Sequence, residues 1–376
     1  GVGFTTSRTE LHKTRNGLSM PGTYSEEDEL FGIGAKLGEL GKGFYGMVSD
    51  WEDDAWREEM EWMKRLSIEN NCRFNFLLFY HTNEQWDRVK AQLEFVAQAN
   101  KEGAQLVAHV GARPVNVLMS YHGTVNPFFL HQNFGPLMEL SPEERIEKLR
   151  DPAVKAAILA EPTPSMGHEI ADRMVSDFDL MFELGENPNY EQAADQSIAA
   201  KAEAAGVTPQ EYAYDALLAR DGKAILYFPF MGYDQRNLDR QFEMLQDENS
   251  VISLADTGAH CGVLADASMP TFLLSHFVRD RQGSKFTLEQ AIKFHTHDTA
   301  RAVCLEDRGT LAVGMRADIN IIDFDNLELE SPEIIYDLPA GGRRMFQGAR
   351  GYRYTLVGGE IIMIDGVETQ AMPGEL

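Results

Sequence analysis

Apolar runs alternate with amphipathic stretches over the first third of the chain. Residues 43–49 (GFYGMVS), 73–80 (RFNFLLFY) and 105–111 (QLVAHVG) read as strands, the second buried because its apolar run is continuous. Between them, 51–69 and 83–101 carry apolar positions at helical spacing. A strand followed by a helix at a repeat of about 30 residues implies parallel strands joined by crossover helices.

The middle of the chain is less regular. Residues 121–136 (YHGTVNPFFLHQNFGP) mix Gly, Asn, Pro and aromatics and read as a long loop. Helices are predicted at 141–159, which opens Ser-Pro-Glu-Glu, at 195–205, and at 208–218, which opens Thr-Pro-Gln-Glu. The stretch 162–188 gives no clear pattern. A strand follows at 224–229, a helix at 237–245, and a strand at 251–254 (VISL) that runs into Ala-Asp-Thr-Gly-Ala-His. Helices are expected at 271–278 and 287–304. From Asp307 the texture turns β-rich, with short runs at 319–324 and 354–365 and Gly punctuation, which predicts a small antiparallel module. The expected division is a barrel over 1–306 and a β-rich segment over 307–376.

Charge narrows the partners. Lys and Arg total 34 against 59 Asp and Glu, a formal net charge of −25. Neither nucleic acid nor an anionic membrane surface suits so acidic a protein. No apolar run approaches the roughly 18 residues of a transmembrane helix. Three cysteines, widely spaced and without a CxxC, predict no disulfide framework and a reducing, cytoplasmic setting. A small-molecule substrate is the expected partner, with a homo-oligomer left open. The chain opens GVGFTTS, without Met, and reads at once as the end of a strand. That opening predicts a fragment lacking an N-terminal part.

Asp256 is the most informative position. VISL delivers it to the strand's C-terminal mouth, where a parallel barrel places its catalytic groups. A carboxylate there can ligate a divalent metal and accept a proton from water; Asp before Thr-Gly also makes a good turn cap. His109 ends a strand before Gly-Ala-Arg-Pro and could be a metal ligand, or a hydrogen-bonded core histidine. His260, four residues past Asp256, is a candidate substrate contact. Arg113 and Arg343, the latter after Leu-Pro-Ala-Gly-Gly, are candidate anion clamps, since a guanidinium grips a carboxylate bidentately. His122 and His131, in the aromatic loop, could contact substrate, although solvated loop histidines are commoner. His295 and His297 are set aside as ligands, because residues two apart do not share a helix face. No P-loop, GxGxxG, GxSxG or HExxH pattern occurs, and nothing marks Cys261 as an activated thiolate.

The stretch 305–325, LEDRGTLAVGMRADINIIDFD, resembles the C-terminal signature of the amidohydrolase superfamily. LEQAI at 288–292 and TARAV at 299–303 fit the same pattern. With LADTGAH at 254–260, DASMPTF at 266–272 and FVRDR at 277–281, the chain is similar to the D-aminoacylase, or N-acyl-D-amino-acid deacylase, branch. GFTTS at 3–7 and Pro21-Gly22 fit that branch's fourth barrel strand and the loop after it. The resemblance implies an α/β fold, an incomplete (β/α)8 TIM barrel of the metal-dependent hydrolase type with a small C-terminal β-sandwich.

It further implies a zinc-dependent hydrolase of a linear, non-peptide amide, an N-acyl-(D-)amino acid or related small amide. Asp256 matches the last barrel strand's aspartate, which the family uses as general base and metal contact. Zinc would lower the pKa of the attacking water, and Asp256 would carry its proton to the leaving amine. Two departures stand out. The family's His-x-His pair on the first strand is absent, and Val48 and Leu78 align where the fifth and sixth strands carry ligand histidines. One zinc ion at most is therefore expected, in a site that uses Asp256 and His109, and the chain alone is expected to be inactive. The rival readings are a degenerate barrel that binds a small molecule without hydrolysis and an amidohydrolase of cyclic amides.

Overall fold

In the computed structural model the apolar runs pair into one parallel sheet. Residues 3–374 are described, other than 10, 11, 15, 50, 52–54, 256, 257 and 259 and the side chain of 170. The sheet contains β1 (Gly3–Ser7), β2 (Phe44–Val48), β3 (Arg73–Leu77), β4 (Leu106–Gly111) and β8 (Ser250–Ser253), hydrogen-bonded in that order and all parallel. Helices α1 (Glu27–Leu40), α2 (Trp56–Asn70) and α3 (Trp86–Lys101) are the crossovers between the first four strands. Parallel neighbours joined through helices are the repeating unit of a (β/α)8 barrel, and five such strands pair among the described residues.

Strand alternation gives this sheet two different faces. Toward the helices, Tyr45 stacks on Phe74 with ring centroids 4.9 Å apart, Trp62 meets Phe74 edge-on at 5.5 Å, and Trp51 meets Phe76 at 5.7 Å. On the other face, Thr5 is in register with Gly46 and Gly46 with Asn75, while Leu77 is in register with His109 and His109 with Val251. The N-terminal end of that inner face is capped by α12 (Thr299–Ala302). Arg73 donates to the carbonyl of Arg301, and Asn75 Nδ2 donates to that of Ala302 at 2.9 Å.

Between β4 and β8 lies an insert that the strand–helix alternation did not separate from the main sheet. Its three strands, β5 (Val115–Met119), β6 (Phe182–Leu184) and β7 (Ile225–Met231), form their own antiparallel sheet in the order β5-β7-β6. The run at 224–229 is thus a strand of the insert. The helix expected at 141–159 is two, α4 (Pro142–Leu149) and α5 (Pro152–Leu159). Pro152 cannot donate within a helix, so the chain restarts there with Asp151 as cap, accepting from the Ala153 N–H at 2.8 Å. The unclear stretch 162–188 contains α6 (Glu169–Ser176) as well as β6. Helices α7 (Ile198–Ala205) and α8 (Pro209–Gly222) complete the insert, and α9 (Asp239–Gln246) packs on β4 and β8 as their crossover.

The helices after β8 are less regular than their sequence suggests. α10 (Met269–Phe272) widens into a π-helical stretch over Leu273–Asp280, and α11 (Leu288–Lys293) does the same over Phe294–Asp298 before α12. The C-terminal β-rich texture forms antiparallel sheets. β9 (Ile319–Ile322), β14 (Tyr352–Val357), β15 (Glu360–Ile364) and β16 (Val367–Glu368) make one of them. β10 (Glu328–Leu329) pairs with β13 (Ala349–Arg350), and β11 (Glu333–Leu338) with β12 (Gly342–Phe346). Among the described residues no helix is long and apolar enough to cross a membrane.

Candidate active site

The inner face of the parallel sheet opens into a cleft of about 780 Å³. Thr5 and Ser7 from β1, Gly46 and Val48 from β2, Asn75 and Leu77 from β3, His109 from β4 and Ser253 from β8 line it. The loop after β1 adds His12, Pro21 and Gly22, and Leu254 closes the side beyond β8. The size suits a small organic ligand, for which pockets run from about 300 to 1,000 Å³.

His109 is the imidazole that β4 places in this face. Its Nδ1 lies 3.1 Å from Ser253 Oγ, across the β4–β8 pair. Its Nε2 is buried and meets no hydrogen-bond partner. Burial pushes its pKa down to about 4, so the ring is neutral at pH 7. With Nδ1–H donating to Ser253, Nε2 presents a free lone pair, the form in which imidazole binds a metal or accepts a proton.

Asp256 and the adjoining Thr257 and Ala259 lie outside the described residues. His260 is described: it is exposed and takes a left-handed backbone conformation, φ 49°. It is close enough to His12 that their charges interact. Burial first, and then His260, lower the His12 pKa. His12 is a cleft residue that sequence reasoning missed, because a single histidine in an irregular loop carries no motif. Asn75 was missed likewise; its Oδ1 is buried without a partner in the same cleft.

The two arginines are placed elsewhere. Arg113 is buried beyond the end of β4, with Nη2 3.0 Å from the carbonyl of Ala265 and 3.4 Å from Asp266 Oδ1. Its guanidinium lies 4.1 Å from the centroid of the Tyr190 ring. Arg343 sits on β12, half-buried, while its neighbour Arg344 pairs with Asp337 at 2.7 Å. The Met345 N–H donates to the carbonyl of Cys261 at 2.6 Å, which ties β12 to the loop after β8. Neither Arg113 nor Arg343 lines the cleft. His295 and His297 stand in the π-helical turn before α12, His297 Nδ1 bonded to Asp298 at 2.8 Å, and neither lines the cleft.

The donor set fits a metal only in part. His109 Nε2 suits one ligand position. Leu77 is the β3 residue in register with His109, whereas Leu78 lies past the strand end; like Val48, neither can ligate. Among the described residues no three His, Cys, Asp or Glu side chains are grouped so as to hold a metal ion.

The model of the amidohydrolase family matches residues 3–363, and the chain belongs to that family. Its fold is shared with two solved structures of D-aminoacylase. One, from work on the functional role of that enzyme's binuclear metal centre, is 16% identical, covers 94% of this chain and 59% of its own, and superposes with a TM-score of 0.52. The other, described as defining a novel subset of amidohydrolases, is 14% identical with the same coverages and a TM-score of 0.50. A Bordetella bronchiseptica N-acyl-D-glutamate deacylase complexed with zinc and a phosphonate inhibitor is 18% identical over 91% of this chain and 57% of its own, with a TM-score of 0.48. The chain thus spans less than two thirds of the length of these structures. No curated protein matches it.

Proposed function

We propose that this sequence belongs to a hydrolase of linear amides acting on N-acyl-(D-)amino acids or related small amides. The observation that carries the reading is the family match over residues 3–363. The cleft at the strand ends, with a neutral imidazole in its wall, is in keeping with it. Asp256, three residues beyond β8 in the sequence, is assigned as general base. His109 and Asp256 are assigned as ligands of a divalent metal such as zinc, and His260, whose charge reaches His12 in the cleft wall, as a contact to the substrate's polar groups. Bound there, the metal would supply positive charge against a developing oxyanion. Ser253, through its contact with Nδ1, would orient the His109 ring and leave Nε2 free for the metal.

The test is turnover of N-acyl-D-amino acids by the protein that carries this sequence, native against Asp256→Ala. A fall of at least a hundredfold in kcat is expected, on the order of what a lost general base costs. Unchanged turnover removes Asp256 from the reaction. The 376-residue chain by itself is expected to show no hydrolysis, because Val48 and Leu78 stand where the family carries ligand histidines. Appreciable turnover by that chain would overturn this expectation.

Apolar Val48 and Leu77 in the cleft wall also favour a second reading, a barrel that binds a small molecule without cleaving it. Elemental analysis separates the two. Zinc retained through dialysis supports the hydrolase; no metal bound and no activation by added zinc supports the binder.

A further inference from the structure

The strand ends that face the cleft are apolar on β2 and β3. Val48 follows Met47, Leu77 follows Phe76, and Met47 is in register with Phe76. Strand alternation therefore brings Val48 and Leu77 side by side on the inner face, in the row that also holds Ser7 and His109. Both line the cleft and are partly exposed, whereas Met47 and Phe76 are buried.

Two more apolar side chains line the same cleft. Leu254 follows β8 with φ 65°, a left-handed conformation that is strained for a bulky residue. That turn lays its Cδ1 over the end of β4, where a Cβ on Gly111 would lie only 3.1 Å away. Met20, in the loop after β1, is 45% exposed. Apolar surface left in water favours any ligand that covers it.

We propose that Val48, Leu77, Leu254 and Met20 form a subsite that receives an uncharged hydrocarbon group of the ligand. A carboxylate placed there would lose its hydration against side chains that donate no hydrogen bond. Glu29, which lines the same cleft, repels it further. Applied to an N-acyl amino acid, the subsite takes an aliphatic acyl group or side chain, and the carboxylate lies elsewhere. The proposal rests on the reading of the cleft as the ligand site and is independent of whether an amide is cleaved there.

The test is binding of n-hexanol to the protein that carries this sequence, followed by ligand-observed NMR. The control is ω-hydroxyhexanoate, which differs only in carrying a carboxylate in place of the terminal methyl. Sodium chloride at about 0.5 M screens repulsion from remote charges. Hexanol is expected to bind at least about tenfold more tightly than the control, and Leu77→Asn to weaken it about tenfold. Val48→Thr, close to valine in shape, takes the place of Leu77→Asn if that variant does not fold, with a loss of about threefold. Equal or tighter binding of the control overturns the proposal. So does absence of hexanol binding, or an unchanged affinity in the folded variant. Neither probe contains an amide, so failure here is distinct from failure of the turnover test.

Discussion

His109 sets the pH behaviour expected of the cleft. Burial pushes its pKa down to about 4 from 6.5, and does the same to His81 and His295. Each ring has a buried nitrogen without a hydrogen-bond partner. The unfolded chain takes up protons on these rings below about 6.5, while the fold refuses them until about 4. Stability is therefore complete above pH 6.5 and falls as pH drops toward 4. Each ring contributes a slope of up to about 1.4 kcal/mol per pH unit in that window. Urea unfolding between pH 7.5 and 4.5 should show the fall, and His109→Gln, which can still bond Ser253, should make it shallower. An unchanged slope would mean that His109 is not buried as described. His109 was legible in the sequence because it is a titratable side chain inside an apolar strand run. His12 and Asn75 were not, because they reach the cleft only through a loop path and a strand register that one sequence does not specify.

The parallel strands were legible as apolar runs, since a sheet covered on both faces leaves few polar positions. The packing between their helices was not. Gly34 and Gly38 on α1 bring that helix against α2: a Cβ on Gly34 would lie 2.9 Å from Leu66 Cδ2, and one on Gly38 would lie 1.7 Å from the Asn70 carbonyl oxygen. Nothing in the run EDELFGIGAKLGEL distinguishes these glycines from helix-weakening ones. Gly38→Ala is expected to destabilise the protein by about 1–3 kcal/mol, the usual cost of overpacking, although alanine favours helix. A thermal melt that rises on this substitution would contradict the α1–α2 contact. β11 and β12 escaped the sequence reading for another reason. Their residues are mostly half-exposed and include Arg343 and Arg344, so no apolar alternation marks them.

At the scale of the molecule, the insert is clipped to the helices after β8 by one carboxylate. Glu191 accepts from Arg281 at 2.9–3.2 Å and from the Leu238 N–H at 2.8 Å, and lies 2.6 Å from His276 Nε2. Burial alone would raise its pKa, but the bonds from His276, Arg281 and Leu238 outweigh that and hold it near 2. Its contribution is present above about 4.5 and is lost as pH falls toward 2. Glu191→Ala leaves the Arg281 side chain, 2% exposed, without its main partner and should cost about 3–5 kcal/mol. Denaturant titration at pH 7 measures this, and a loss below about 1 kcal/mol would show that Asp239 suffices for Arg281. The boundary of the insert was illegible because its strands have the same length and apolarity as those of the main sheet. Only their antiparallel pairing sets them apart.

β4 ends at Gly111, and its sheet partner β8 begins only at Ser250. Contacts between distant parts of a chain slow folding, because the intervening segment must be gathered before they form. The insert has its own sheet and aromatic interior, so it can condense early and bring the ends of β4 and β8 together. Pairing of β8 with β4 is then expected to follow the insert, and it brings Ser253 to the sheet. The imidazole of His109 has its hydroxyl partner only once β4 and β8 have paired, so closing that long-range pair and orienting the ring are a single event.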